Sequence, residues 1–410
     1  MSTLVRPFRG LRPTPEAAPN VAAPPYDVLN SAEAKIKAAG KPHSFLHISK
    51  PEIDLPDGTD VYAPAVYQKG ADNFQAMIKS GVLIRDDAPS YYVYRMRMGA
   101  HTQTGLAFVA SVADYDTNRI RKHEFTRPDK EDDRVRQIEA LNAETGPVLL
   151  AYRKHMVLQN ILMESARSEP LYEVKGEHGV VHSVWRIAEP EKIARITEAF
   201  DGMDALYIAD GHHRSAAASR VAAARRGKSK SDSAEYFLAV AFPHDQMRIF
   251  DYNRVIKDLN GLTPDELLKK IRTKFIVAEH DQQYAPLSPT HFGMYLGRKW
   301  YELVIQPDLV PRKDPVGLLD VSLLQNNLIS PILGIADPRR DKRIDFVGGI
   351  RGLSELEARV NSGEMAVAFA LHATRMDQLM AVADAGEVMP PKSTWFEPKL
   401  ADGLLSHVLD

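Results

Sequence analysis

The stretch from Ala205 to Gly227, ALYIADGHHRSAAASRVAAARRG, constrains this chain more than any other. Leu206 to Ala209 is an apolar run of strand length, and Asp210-Gly211-His212-His213-Arg214 packs polar or backbone-permissive residues into a turn. Ala216, Ala217, Ala218, Val221, Ala222, Ala223 and Ala224 follow. Alanine is the strongest helix former, so a helix is expected, with Arg225 and Arg226 suiting the dipole of its last turn and Gly227 ending it. The reading is strand, tight polar turn, helix. The first amides of such a helix lack internal acceptors and point at whatever lies above the turn. Gly211 permits close approach to the backbone, and Arg214 adds a planar cationic fork suited to phosphate or carboxylate. Gly211, His212, His213 and Arg214 are therefore expected to bind an anion. The alternative is a capped junction, with Asp210 as N-cap and the histidines in solvent.

Composition narrows the class. At 410 residues the chain holds two or three domains' worth of sequence. Hydrophobic residues make up 44% and charged residues 26%, as in ordinary globular proteins. The formal net charge of −2 argues against a nucleic-acid partner, which would call for a basic surplus. Cysteine is absent, which excludes disulfides, thiolate metal sites and cysteine nucleophiles. MSTLVRPFRG lacks an apolar signal core, and no apolar run is long enough to span a bilayer. A cytoplasmic protein without a membrane partner is expected, its oligomeric state left open.

Period and turn chemistry give the order of elements. Pro24-Pro25-Tyr26-Asp27-Val28 is expected to be extended, and Asn30 to Glu33 to start a helix. Tyr62 to Lys79 reads as an amphipathic helix closed by Gly81. Tyr91–Met98 and Thr104–Val112 alternate as strands joined through residues 99–103. Thr126-Arg127-Pro128-Asp129 opens a helix with Val135, Ile138 and Leu141 buried, and its charge run 129–136 reads as a solvated face with local ion pairs. A strand at 148–152, a helix to about 168, a hairpin over 172–187 and a helix at 191–200 follow. After Gly227, residues 235–242 and 247–252 read as another hairpin. A boundary falls at Asn260-Gly261, giving domains 1–260 and 261–410, and Thr263 to Glu266 caps the next helix. Strands near 293–297, 301–305, 344–347 and 366–371 alternate with helices near 318–329, 353–360 and 374–384. The whole predicts an α/β (α+β mixed) fold with mixed sheets and several hairpins.

Other stretches carry candidate chemistry. His123-Glu124 falls at a strand-to-helix turn, where sites gather in α/β proteins; an exposed structural pair is the alternative. Should residues 211–214 hold a phosphate chain, catalysis needs positioning, charge neutralisation and an oriented nucleophile. Glu124 is then the candidate base for a substrate hydroxyl, with His123 or Asp210 helping to hold Mg²⁺. Histidines suit zinc or manganese better, so Asp210 and His212 are also candidate ligands for Zn²⁺ or Mn²⁺. Tyr26, Asp27 and Arg254 are candidate substrate contacts. The segment MPPKSTWFEPKL (389–400) nearly spells a phosphate loop with Gly386, but Pro391 replaces the second glycine and forbids it. Either Lys392, Ser393 and Thr394 face a substrate from a proline-braced loop, or the segment is a wrap docking Trp395 and Phe396. Gly348 to Gly352 reads as a turn rather than a phosphate loop.

Taken together, PFRGLRP (7–13), APPYDV (23–28), KHEFTRPDKEDDR (122–134), YIADGHHR (207–214) and MPPKSTWFEPKLADGL (389–404) resemble the prokaryotic family of domain of unknown function 1015 (DUF1015). The DGHHR turn is also similar to the phosphate-binding turn of the ParB/sulfiredoxin superfamily, which includes kinases of free serine. That resemblance implies a ParB/sulfiredoxin-like core over residues 1–260, with ATP or ADP on Gly211 to Arg214, Asp210 beside a metal or the acceptor, and Glu124 as base. Asn253-Arg254 stands where the resemblance leads one to expect His-Arg. The implied function is a phosphotransferase acting on a small hydroxyl metabolite, with nucleotide and small molecule as its partners. A metal-dependent phosphohydrolase and a nucleotide-binding regulator are the alternatives.

Overall fold

A computed structural model describes residues 3–410. It resolves into two compact units, one comprising the chain to Met247 with Pro398–Asp410, the other Arg248–Glu397. The division precedes the expected boundary at 260/261 because Tyr252–Ile256 is an inner strand of the second unit's sheet and cannot be separated from it. The end of the chain returns to the first unit. Among the described residues no helix is long and apolar enough to cross a membrane.

The principal strands of the first unit are β1 (Val5–Arg6), β2 (Tyr91–Met98), β3 (His101–Ser111), β4 (Ile120–Arg121), β5 (Val148–Tyr152), β6 (Tyr172–Lys175), β7 (Val181–Ile187), β8 (Leu206–Asp210) and β9 (Tyr236–Pro243). They form one mixed sheet in the order β4-β8-β5-β9-β3-β2-β7-β6, with β1 on β3. Leu206 to Ala209 is buried throughout, which accounts for a continuous apolar run rather than an alternating one. The main helices are α1 (Ser31–Ala38), α2 (Pro64–Lys79), α3 (Pro128–Leu141), α4 (Met156–Ser165), α5 (Pro190–Asp201) and α6 (His212–Arg225). Ala217 and Val221 of α6 pack with Ile138 of α3 and Leu409, and Val135 flanks them. Small side chains let the two helices lie close together.

Three local expectations are corrected. The β2–β3 turn is only Gly99-Ala100, since Met98 faces His101, so residues 101–103 are strand. Residues 235–252 form no hairpin: β9 pairs with β3 and β5, while Ile249–Phe250 pairs with Trp395–Phe396 in the second unit. Strand partners are chosen by the whole sheet, so adjacency in sequence misleads here. The 129–136 run is not wholly a solvated face. Asp133 is buried, accepting from the Tyr67 hydroxyl at 2.8 Å and pairing with Arg134 at 2.6 Å. Glu131 and Asp132 pair across to Arg220 of α6 instead of along their own helix.

The second unit contains β10 (Tyr252–Ile256), β11 (Phe275–His280), β12 (His291–Leu296), β13 (Lys299–Ile305), β14 (Ile344–Gly348) and β15 (Val367–Leu371). Every pairing in their sheet, ordered β11-β13-β12-β15-β10-β14, is antiparallel. Helices α7 (Pro264–Ile271), α8 (Leu353–Asn361) and α9 (Met376–Asp384) accompany it, and α7 starts with the expected Thr263–Glu266 capping box.

Candidate functional site

The site follows from one pairing. β4 and β8 are parallel neighbours, Leu206 facing Ile120 and Tyr207 facing Arg121. β4 ends at Arg121 and β8 at Asp210, so the turns that follow them leave the same end of the sheet. Carboxyl ends of parallel strands are where α/β folds place their ligands.

His123 and His212 meet there edge to face, with ring centroids 4.5 Å apart, although 89 positions separate them in sequence. The His123 amide donates to His212 Nε2 over 3.4 Å, and His212 Nδ1 lies 3.8 Å from Glu124 Oε2. Both imidazoles are buried, while Glu124 is exposed. Burial drives the His123 pKa down to about 4 and that of His212 well below its usual value, the neighbouring ring adding to the effect on His212. Both rings are therefore neutral at pH 7. Neither ring nitrogen of His123 makes a well-formed hydrogen bond, although the Ile208 backbone lies against the ring.

Gly211 heads α6 at φ +95°, a left-handed conformation that favours glycine. The Gly211 amide donates to Asp210 Oδ1 at 2.9 Å, and Lys399 Nζ lies 3.1 Å from Asp210 Oδ2. Burial alone would raise the Asp210 pKa, but Lys399 and Arg214 together hold it well below the usual carboxylate range. His213 Nε2 accepts from the Arg127 amide at 3.1 Å.

Arg214 departs from the open fork suggested by the sequence. Its side chain is about nine-tenths buried, donating to the Pro147 carbonyl at 2.5 Å and to Asp27 Oδ2 at 3.1 Å. Tyr26 lies beneath two guanidinium groups, Arg134 at 3.8 Å and Arg214 at 5.7 Å from its ring centre. Tyr26 and Asp27 thus join the turn, because Ala23 pairs with Asp402 in the returning end of the chain. Asp402 is buried, and its pKa is pushed up to about 7, burial outweighing the pull of Arg214.

Arg254, Lys392, Ser393 and Thr394 belong to the second unit. The buried Arg254 guanidinium donates to the carbonyls of Tyr252 and Lys392, the latter at 3.0 Å. Ser393 is buried, bonding through its hydroxyl to the Pro390 carbonyl and through its carbonyl to Thr374. Arg254 and Ser393 thus brace this loop internally, and Phe396 is buried within the same segment.

His123, Glu124 and His212 each offer a ligand atom, all within 4.8 Å of one another. Asp210 stands outside this group, its two oxygens accepting from the Gly211 amide and Lys399. Two imidazoles and one carboxylate suit a transition ion and do not match the all-oxygen preference of Mg²⁺. Sequence reading missed Lys399, Asp402 and Arg134. The first two lie in PKLADG, inside the family-like segment 389–404 but with neither helical nor strand period to assign them a place.

Over residues 5–322 the sequence matches the family described as protein of unknown function (DUF1015). This chain belongs to that family. No curated protein matches the DUF1015 chain. Among solved structures it is similar to a conserved hypothetical protein from Pyrococcus furiosus, at 15% identity and TM-score 0.35, covering 73% of this chain and 94% of that one. It is similar to a free serine kinase in complex with AMP, at 14% identity and TM-score 0.36, covering 71% and 86%. It is also similar to C-terminally truncated SbnI from Staphylococcus aureus, at 13% identity and TM-score 0.38, covering 72% and 85%.

Proposed function

We propose that this DUF1015 chain is a nucleotide-dependent phosphotransferase acting on a hydroxyl group of a small metabolite, with free L-serine, giving O-phosphoserine, as the first acceptor to test. One observation carries the reading: the parallel β4–β8 pairing sets the exposed Glu124 carboxylate beside the head of α6. A proton acceptor and a helix N-terminus at the same sheet end are the two parts that phosphoryl transfer requires. The similarity of the DGHHR turn to ParB/sulfiredoxin-like turns supports the same assignment.

In this scheme ATP or ADP sets its phosphates above the leading amides of α6. The acceptor hydroxyl attacks the terminal phosphorus and loses its proton to Glu124, and the bond from phosphorus to the leaving nucleotide oxygen breaks. His212 and His213 shape the turn, and Arg214 stiffens it through Asp27 and Pro147. Magnesium enters only as the counter-ion of the nucleotide phosphates. The partners are a nucleotide and a small molecule, with no nucleic acid or membrane.

A second reading, a metal-dependent phosphohydrolase acting on a phosphomonoester, is favoured by the His123–Glu124–His212 grouping. Both are tested by incubating the full chain with Mg²⁺, ATP or ADP and a panel of hydroxy amino acids, followed by phosphorus NMR. A new phosphomonoester signal, reduced about 10²–10⁴-fold by Glu124→Gln, is the expected result. Release of phosphate from phosphoserine without nucleotide would replace the first reading with the second. Nucleotide binding with neither turnover of an acceptor nor release of phosphate from phosphoserine would overturn both and leave a regulator.

A further inference from the structure

We infer that His123, Glu124 and His212 form a binding site for one divalent transition ion of the zinc, manganese or iron(II) class, which Mg²⁺ does not fill. The inference goes beyond the proposed reaction: ion retention is measured without turnover, so either can fail alone.

The first argument is a poorly paired imidazole. His123 is 2% exposed, and neither ring nitrogen makes a well-formed hydrogen bond, the Ile208 backbone being the one polar group recorded against the ring. Buried polar groups in folded proteins are nearly always satisfied, and an orphaned one calls for an explanation such as an absent ion. A metal ion bonded to one nitrogen accounts for it. The three ligand atoms already lie within 4.8 Å of one another, so a small side-chain adjustment brings them to bonding distance of one ion.

The second argument is the donor set. Two imidazoles and a carboxylate leave further positions open, the pattern of a catalytic rather than a closed structural site.

The third argument concerns cost. The His123 amide donates to His212 Nε2, which places the proton of the neutral ring on Nδ1, facing Glu124. Coordination through Nδ1 requires the other tautomer and gives up that contact. At 3.4 Å the contact is long, so the loss is small. Lys399 does not oppose the ion directly, because its ammonium is paired with Asp210.

The test uses the full chain, stripped with a chelator, desalted and titrated with Co²⁺ as an optical probe. One Co²⁺ per chain is expected, displaced by Zn²⁺ and retained in a large excess of Mg²⁺. Glu124→Gln and His212→Gln should each weaken binding at least about tenfold, since even residues that merely orient ligands cost that much. His43→Gln, on an exposed histidine, should leave it unchanged. Glu124 is on the surface, so its variant remains informative if a substitution at buried His212 disrupts folding. No Co²⁺ uptake, displacement by Mg²⁺ at equal concentration, or equal affinity in Glu124→Gln and the parent chain would overturn the assignment.

Discussion

The Lys399 ammonium stands 3.1 Å from the Asp210 carboxylate, joining residues 189 positions apart in sequence. The charge that sets Asp210 low therefore comes first from the returning end of the chain, with Arg214 of the turn adding to it. Lys399→Met should raise the Asp210 pKa, read by carbon NMR of its carboxyl. Asp210 stays ionised in the fold where the unfolded chain would begin to protonate, so the pair's stabilisation is fully present at neutral pH and fades as acid reaches the low folded value. Parent and variant should differ most in urea midpoint at pH 7 and converge below pH 4. A constant difference across that range would assign the effect to packing.

Asp402 has the opposite sign. Its folded pKa of about 7 lies above the ordinary carboxylate value, so the unfolded chain ionises first. Stability must then fall as pH rises from about 4 to 7, and level off above. Each tenfold change in proton affinity is worth about 1.4 kcal/mol. Asp402→Asn should flatten the pH profile of stability in that window, measured by chemical denaturation at several pH values. An unchanged slope would mean that Asp402 is already ionised in the fold.

Gly211→Ala should damage the turn specifically. At φ +95° a Cβ is strained, and it would stand 3.3 Å from Val148 Cα on β5. A cost of about 1–3 kcal/mol is expected from the backbone alone. Thermal unfolding should record it, and phosphoryl transfer should fall further than stability does, because the leading amides of α6 shift with the turn.

Arg214 serves as a strut, so its loss should appear in stability as well as activity. Arg214→Ala leaves Asp27 and the Pro147 carbonyl without their donor. Breaking a buried pair costs about 3–5 kcal/mol, and the partial exposure of Asp27 places this case at or below the lower end. Arg214→Lys keeps the charge but loses the two-pronged reach, and should recover part of the stability. Urea denaturation of both variants checks this; equal and full stability would show the guanidinium to be free for ligand.

Much local chemistry was legible in the sequence. The Thr263–Glu266 capping box forms as read, and the helix expected to start over Asn30–Glu33 does so, through a capping box of its own. The cap read at Thr126–Asp129 does not form: Arg127 is the N-cap, without a side-chain bond. The strand and alanine-rich helix at 206–225 also form as read, since propensity belongs to those residues themselves, and the glycine between them takes a left-handed conformation. The buried Asp133 was not legible, because its partner Tyr67 comes from a different helix. Nor was the route of residues 247–252, whose pairing is decided by strands far along the chain.

The sequence by itself determined the mixed α/β class, the turn at Asp210–Arg214 and the residue types available for chemistry. Only the tertiary structure decided that His123 and Glu124 share a sheet end with His212, that Arg214 turns inward, and that Lys399 closes on Asp210. Periodicity and capping act over a few residues, whereas strand order and the path of the last segment are fixed by burying the apolar surface of the whole unit.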